Sequence, residues 1–91
     1  MSLTIYKYEI ECVTTTLEMP KFAKILCVKS QQKRVCLWAI VDTTQEKEKR
    51  DFLVIGTGHN VPLAQLYYIG TVMQFEEQLV WHVFEVLKDG H

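Results

Sequence analysis

The sequence has little of what catalytic and metal-binding chains usually carry. It has no Cys-x-x-Cys pair and no His-x-His or His-Glu-x-x-His spacing, and its only serines are Ser2 and Ser30. The first absence removes zinc ribbons and thioredoxin-like redox motifs. Zinc takes three or four protein ligands, so no metal and no cofactor is expected. Neither serine stands in the Gly-x-Ser-x-Gly turn of a hydrolase nucleophile. Cys36, His59 and Asp42 supply the residue types of a Cys–His–Asp site, but no spacing joins them. Charge of one sign is lacking too. Ten Lys plus Arg stand against eleven Asp plus Glu, a net charge of −1. A general nucleic-acid binder draws its affinity from a basic surface, and an anionic membrane attracts one, so neither partner is expected. No run reaches the ~20 apolar residues of a membrane span, and Met1 to Lys7 shows no apolar signal core. The cysteines, Cys12, Cys27 and Cys36, are odd in number and each lies in an apolar or alternating segment. They read as buried thiols of a reduced, intracellular protein.

What is present is hydrophobic content, 48% of 91 residues, patterned with a period of two. That length makes one small domain. From Thr4 to Cys12, Tyr6, Tyr8, Ile10 and Cys12 share one face, and Lys7, Glu9 and Glu11 share the other with Ile5, as in a half-buried strand. Thr14 to Met19 is a second strand, ending at Pro20. Phe22 to Lys29 and Val35 to Asp42 follow. The second is apolar on both faces and reads as a central strand. Ser30 to Arg34 fits a hairpin connection without the Asn-Gly or Asp-Gly that fixes a turn type. Thr43 to Arg50 mixes charges of both signs and reads as a solvated loop ahead of a strand over Asp51–Ile55. Gly56 to Pro62 breaks the pattern, and Leu63 to Leu66 suits one helical turn. Tyr67 to Phe75 places Tyr67, Ile69, Thr71, Met73 and Phe75 on one face. Leu79 to Val86 alternates again, and Leu87 to His91 is a tail. Six or seven strands with short links predict an all-β domain, a meander closing into a small antiparallel barrel or a two-layer sandwich.

Two groups of residues are candidates for function. Gly56-Thr57-Gly58-His59 is the glycine cluster, where backbone N–H groups can approach an anion such as a nucleotide phosphate. The alternative is a strand end that needs positive φ at one or both glycines. His59 and His82 have the chemistry for an acid–base pair, but catalysis requires a geometry that sequence does not supply. The aromatic residues, at strand spacing, read as core before they read as base-stacking surfaces. Tyr67 and Tyr68 point to opposite faces, so one is expected to be exposed. With Trp81 and His82 they form the candidate interface.

Several blocks occur in order behind Thr4-Ile5-Tyr6-Lys7-Tyr8: Met19-Pro20, Ala23 to Leu26, Cys36 to Asp42, Gly56 to His59, Tyr68 to Thr71 and Leu79 to Glu85. Together, over nearly the whole chain, they resemble a family of short bacteriophage and prophage proteins that carry a domain of unknown function. Glycine is expected in that family at the position of Phe22 and in the turn before Cys36, so those two turns are expected to differ in shape here. The resemblance brings no activity and no catalytic residues. It implies a phage origin, and small accessory phage proteins are frequently inhibitors of host defence. The expectation is therefore a non-enzymatic viral protein in the cytoplasm of an infected bacterial host, binding a host protein or defence complex as an anti-CRISPR-like or other anti-defence inhibitor. The alternatives are a nucleotide or small-ligand sponge at Gly56 to His59, a virion structural or assembly protein, and a hydrolase built on His59 and His82. A homo-oligomer is one way to cover the second face of Val35 to Val41.

Overall fold

A computed structural model describes residues 1–11 and 13–88. The alternating segments form seven strands: β1 (Leu3–Ile10), β2 (Thr14–Pro20), β3 (Lys24–Gln31), β4 (Arg34–Asp42), β5 (Lys47–Gly56), β6 (Leu66–Gln74) and β7 (Leu79–Val86). They make two antiparallel sheets, one ordered β1-β4-β3 and the other β2-β5-β7-β6. This is the all-β, two-layer sandwich of the expectation, and the sheets do not close into a barrel. It is not a meander. β1 pairs with β4 and β2 with β5, and the chain crosses between the layers after β1, β2 and β4. Cys12 and residues 89–91 lie outside the described residues. So does the expected continuation of the first strand's face to Cys12, and most of the expected tail.

The core lies between the sheets. Phe52, Met19, Leu37, Val41 and Val83 are fully buried, each worth about 1.5–3 kcal/mol of transfer free energy. β4 is the centre of its sheet, as expected, and Val35, Leu37, Ala39 and Val41 face inward. On the other face Cys36 is buried but Trp38 and Ile40 are only partly covered, so the expected cover on both faces is incomplete. Both turns expected to change shape hold a left-handed backbone. Phe22 has φ 68°, and Gln32 and Lys33 have φ 52° and 66°. The second is a two-residue hairpin, since Gln31 pairs with Arg34. Positive φ at both central residues is the geometry that makes Asn-Gly favoured there.

Three local expectations are corrected. The charged segment is not all loop: β5 begins at Lys47, because Lys47, Lys49 and Asp51 alternate outward while Arg50 turns in. Leu63 to Leu66 makes no helical turn, and Leu66 opens β6. β6 also does not keep one face from Tyr67 to Phe75. Its register shifts between Tyr68 and Gly70, a bulge that sends Thr71 and Met73 to the face of Tyr68 and turns Val72 into the core.

Gly56 sits opposite Trp81 and Leu66 opposite Val86. Residues 57–65 therefore run the length of the four-stranded sheet as a strap across its outer face. Leu53 and Ile55 point to that face, yet are 7% and 6% exposed. The strap is tied at its far end by Leu87 N–H, which donates to the Gln65 carbonyl at 2.8 Å.

Candidate functional site

The strap begins with the glycine cluster. His59 N–H donates to the Gly56 carbonyl at 3.1 Å, and Gly58 has φ 89°. This is a β-turn with positive φ at its third residue, the type II pattern that favours glycine there. Gly56 is needed for another reason. A Cβ on it would lie 3.2 Å from the His59 ring and from Trp81 Cζ3. Thr57 N–H donates to the Val80 carbonyl at 3.3 Å. With the N–H groups of Thr57 and His59 spent on carbonyls, the turn lacks the row of free, convergent donors that an anion cradle uses.

The turn instead places the Thr57 side chain on the outer face of the four-stranded sheet, where it meets His82. Thr57 Oγ1 lies 2.8 Å from His82 Nε2, Thr71 Oγ1 lies 3.1 Å from His82 Nδ1, and the Tyr68 hydroxyl lies 2.5 Å from Thr71 Oγ1. The Tyr68 ring meets Phe84 edge to face, with centroids 5.6 Å apart. Three of the residues singled out from sequence, Thr57, Tyr68 and His82, thus share one hydrogen-bonded row. Thr71 was missed. Its part depends on the bulge after Tyr68, because without that shift it would face the core.

The structure separates the others. Trp81 is the strand neighbour of His82 and so turns to the inner face, where its Nε1–H donates to Gln74 Oε1 at 3.0 Å. There it lines a cleft of about 310 Å³ at the end of the sandwich, floored by Ile10, Val35 and Val54. Tyr67 lies opposite Glu85, away from Tyr68, and both tyrosines are exposed. The His59 ring packs over Gly56 on the Trp81 side, so the two histidines do not share a face. Asp42 is at the opposite end of the sandwich from His59, and its Oδ1 accepts from the N–H groups of Ser2 and Thr44 and from the Thr44 hydroxyl. These bonds, the Thr44 hydroxyl foremost, hold its carboxyl well below the usual carboxylate range. Among the described residues no group of three or more His, Cys, Asp and Glu is placed to hold a metal ion. Cys36 is buried and Cys27 half-buried, both as free thiols.

A second polar feature went unread in the sequence. Arg50 donates from Nε and Nη2 to both carboxylate oxygens of Glu85, at 2.6 and 2.7 Å, and from Nη1 to the Ala23 carbonyl at 2.7 Å. The Glu85 bonds raise the Arg50 pKa above its ordinary value. This fork ties the four-stranded sheet to the turn that crosses to the other layer, which makes it a structural clamp.

The fold and this row of side chains define a two-layer antiparallel β-sandwich with a histidine–hydroxyl cluster under a strap on one face. The chain belongs to the family described as the domain of unknown function DUF7352, whose model matches residues 1–91. No curated protein and no solved structure matches it.

Proposed function

We propose that this protein acts by stoichiometric binding rather than by catalysis. The supporting observation is the state of His82. Both of its ring nitrogens are engaged by threonine hydroxyls, and no carboxylate orients it as the base of a nucleophile. Around it, Tyr68 and Met73 are more than half exposed on a firmly packed sheet, which suits an interface anchor. The likeness to phage proteins read from the sequence extends the proposal. The chain is a phage accessory protein whose partner is a host protein or defence complex, and occlusion of that partner is the effect. Expression in a bacterial host, with defence assays and capture of the partner by wild-type and Tyr68→Ala protein, tests this. A partner held in fixed stoichiometry and released by the substitution is expected. No partner, together with unchanged defence, would overturn the proposal.

A further inference from the structure

The sandwich has four strand edges, and three of them are blunted. β3 and β6 lie against each other across one side of the molecule, each interrupted by a register shift. Gln74 Nε2 donates to Ser30 Oγ at 3.1 Å, and Gly70 approaches Val28 there. β2 ends in Pro20. β1 has none of these devices. Its eight residues run in unbroken register from Leu3 opposite Asp42 to Ile10 opposite Val35, and its other edge pairs with no described strand. Its outward side chains, Leu3, Ile5, Lys7 and Glu9, include a lysine of the kind that discourages like edges from pairing, but the backbone of the edge is regular and open.

The direction of the free backbone groups follows from one bond. Thr43 N–H donates to the Ser2 carbonyl at 2.9 Å, so the carbonyl of Ser2 faces β4, while Ser2 N–H goes to Asp42 Oδ1. Alternation along an antiparallel ladder then turns the N–H and C=O of Leu3, Ile5, Lys7 and Glu9 to the open side. The side chains of the same four residues stand on the outer face. Leu3, Thr4 and Ile5 line a shallow hollow with Ile40 of β4, and Leu3 and Ile5 are about 60% exposed. Charge marks the face as well. β1, β3, β4 and the β3–β4 turn carry Lys7, Lys24, Lys29, Lys33 and Arg34 against Glu9 and Asp42, a net +3 in a chain whose total is −1. The remainder of the chain is therefore at −4.

We propose that the free edge of β1 receives an extended strand of a partner protein, with an acidic side chain opposite Lys7 and aliphatic ones over the Leu3–Ile5–Ile40 hollow. The inference rests on the reading of the chain as a binding protein and names the edge and chemistry it uses. Main-chain bonds from the four outward residues supply affinity, and the alternate side chains supply selection. The charges disfavour a second copy of this chain. Antiparallel registers that use the whole edge bring Lys7 opposite or diagonal to its own copy, and the register that matches Lys7 to Glu9 spans only Tyr6 to Ile10. A nucleic acid would gain from the lysines but not from aliphatic Leu3, Ile5 and Ile40, since bases bind by stacking on aromatic rings.

The test uses the intact protein and an acetylated, amidated octapeptide, Lys-Thr-Glu-Thr-Val-Thr-Val-Thr, which sets Glu opposite Lys7 and Val opposite Ile5 and Leu3. Hydrogen exchange followed by NMR is expected to show the amides of Leu3, Ile5, Lys7 and Glu9 slowed when the peptide is added, with those of Thr4, Tyr6 and Tyr8 unchanged. Lys7→Glu is expected to weaken the peptide by about ten-fold or more, and a peptide with Lys in place of Glu is expected to recover it. Absence of protection at the four amides, or equal affinity for Lys7→Glu, would overturn the proposal. So would a dimeric mass with those amides already protected in the free protein, since the edge would then belong to a second copy. A host partner still captured by protein whose four amides stay exposed would sink this edge alone and leave the binding function standing.

Discussion

A methyl group added at Gly70 would sit 2.8 Å from Val28 Cγ2, where β6 and β3 close one side of the sandwich. Valine cannot swing that atom away without moving its backbone or leaving its rotamer. Gly70→Ala is therefore expected to lose about 1–3 kcal/mol, read as a lower urea midpoint, with Val28→Ala in the same chain recovering part of the loss. Strain of another kind sits at Gln32 and Lys33. Each L residue in the left-handed region costs about 1–2 kcal/mol, so Gln32→Asn with Lys33→Gly is expected to raise stability by about 1 kcal/mol or more, the turn keeping its shape. An unchanged denaturation midpoint would contradict that account. Asp42 adds a dependence on pH. Its folded pKa lies below its unfolded value. The stability it contributes is therefore complete above about pH 4–5 and lost as pH falls toward the folded value. Acid titration of Asp42→Asn is expected to show a shallower loss of stability below about pH 4 than wild type. The residue scale was only half legible in the sequence. The need for glycine at 58 could be read from the cluster. Gly70 could not, because its reason is a strand far away in the chain.

At the scale of elements, β2 was read from its β-branched residues and β4 from apolar residues on both faces. Alternation of apolar and polar residues found β1, β6 and β7, because a half-buried sheet writes period two into the chain directly. It failed where a bulge adds a residue, in β6, and where a charged strand imitates a loop, at Lys47 to Arg50. That second failure concealed the Arg50–Glu85 clamp. The two side chains are 17% and 13% exposed, so removing one leaves a largely desolvated charge. Arg50→Met is expected to cost about 3 kcal/mol, measured by chemical denaturation. Arg50→Met with Glu85→Leu should recover most of it, because an apolar pair needs no counter-charge. A loss that stayed as large in the double variant would mean that the bond to the Ala23 carbonyl, and not the ion pair, holds the turn. The candidate site was legible to the same degree. Thr57, Tyr68 and His82 were all singled out, but their meeting depends on the bulge before Thr71 and on the strap crossing from Gly56 to Leu66. Neither leaves a periodic signal.

The whole molecule is a thin slab, 16 Å in its shortest extent, whose three-stranded side is basic and whose remainder is acidic. Near-zero net charge in the composition hid this, because composition sums what the fold separates. Gathering Lys7, Lys24, Lys29 and Lys33 around one sheet stores repulsion that a distribution selected for stability alone would avoid. Exposed pairs of like charge are worth little singly, about 0.2–1 kcal/mol, and ions screen them beyond about 10 Å at 0.1 M salt. Lys29→Glu changes the sign of one such charge without disturbing a buried group, since Lys29 is exposed on β3. It is expected to raise the unfolding free energy, read from urea denaturation, by about 0.5 kcal/mol or less at low salt, with the gain vanishing near 1 M. Glu18→Lys on the acidic side is expected to lose stability instead, because it would set a lysine directly opposite Lys49. If Lys29→Glu were neutral or destabilising at low salt, the lysines would not be acting as a common field. The long-range attraction of an acidic partner to the β1 edge would then reduce to local contacts at Lys7. If the gain is found, the basic face is kept against its own stability, as expected of a surface held ready for an acidic partner.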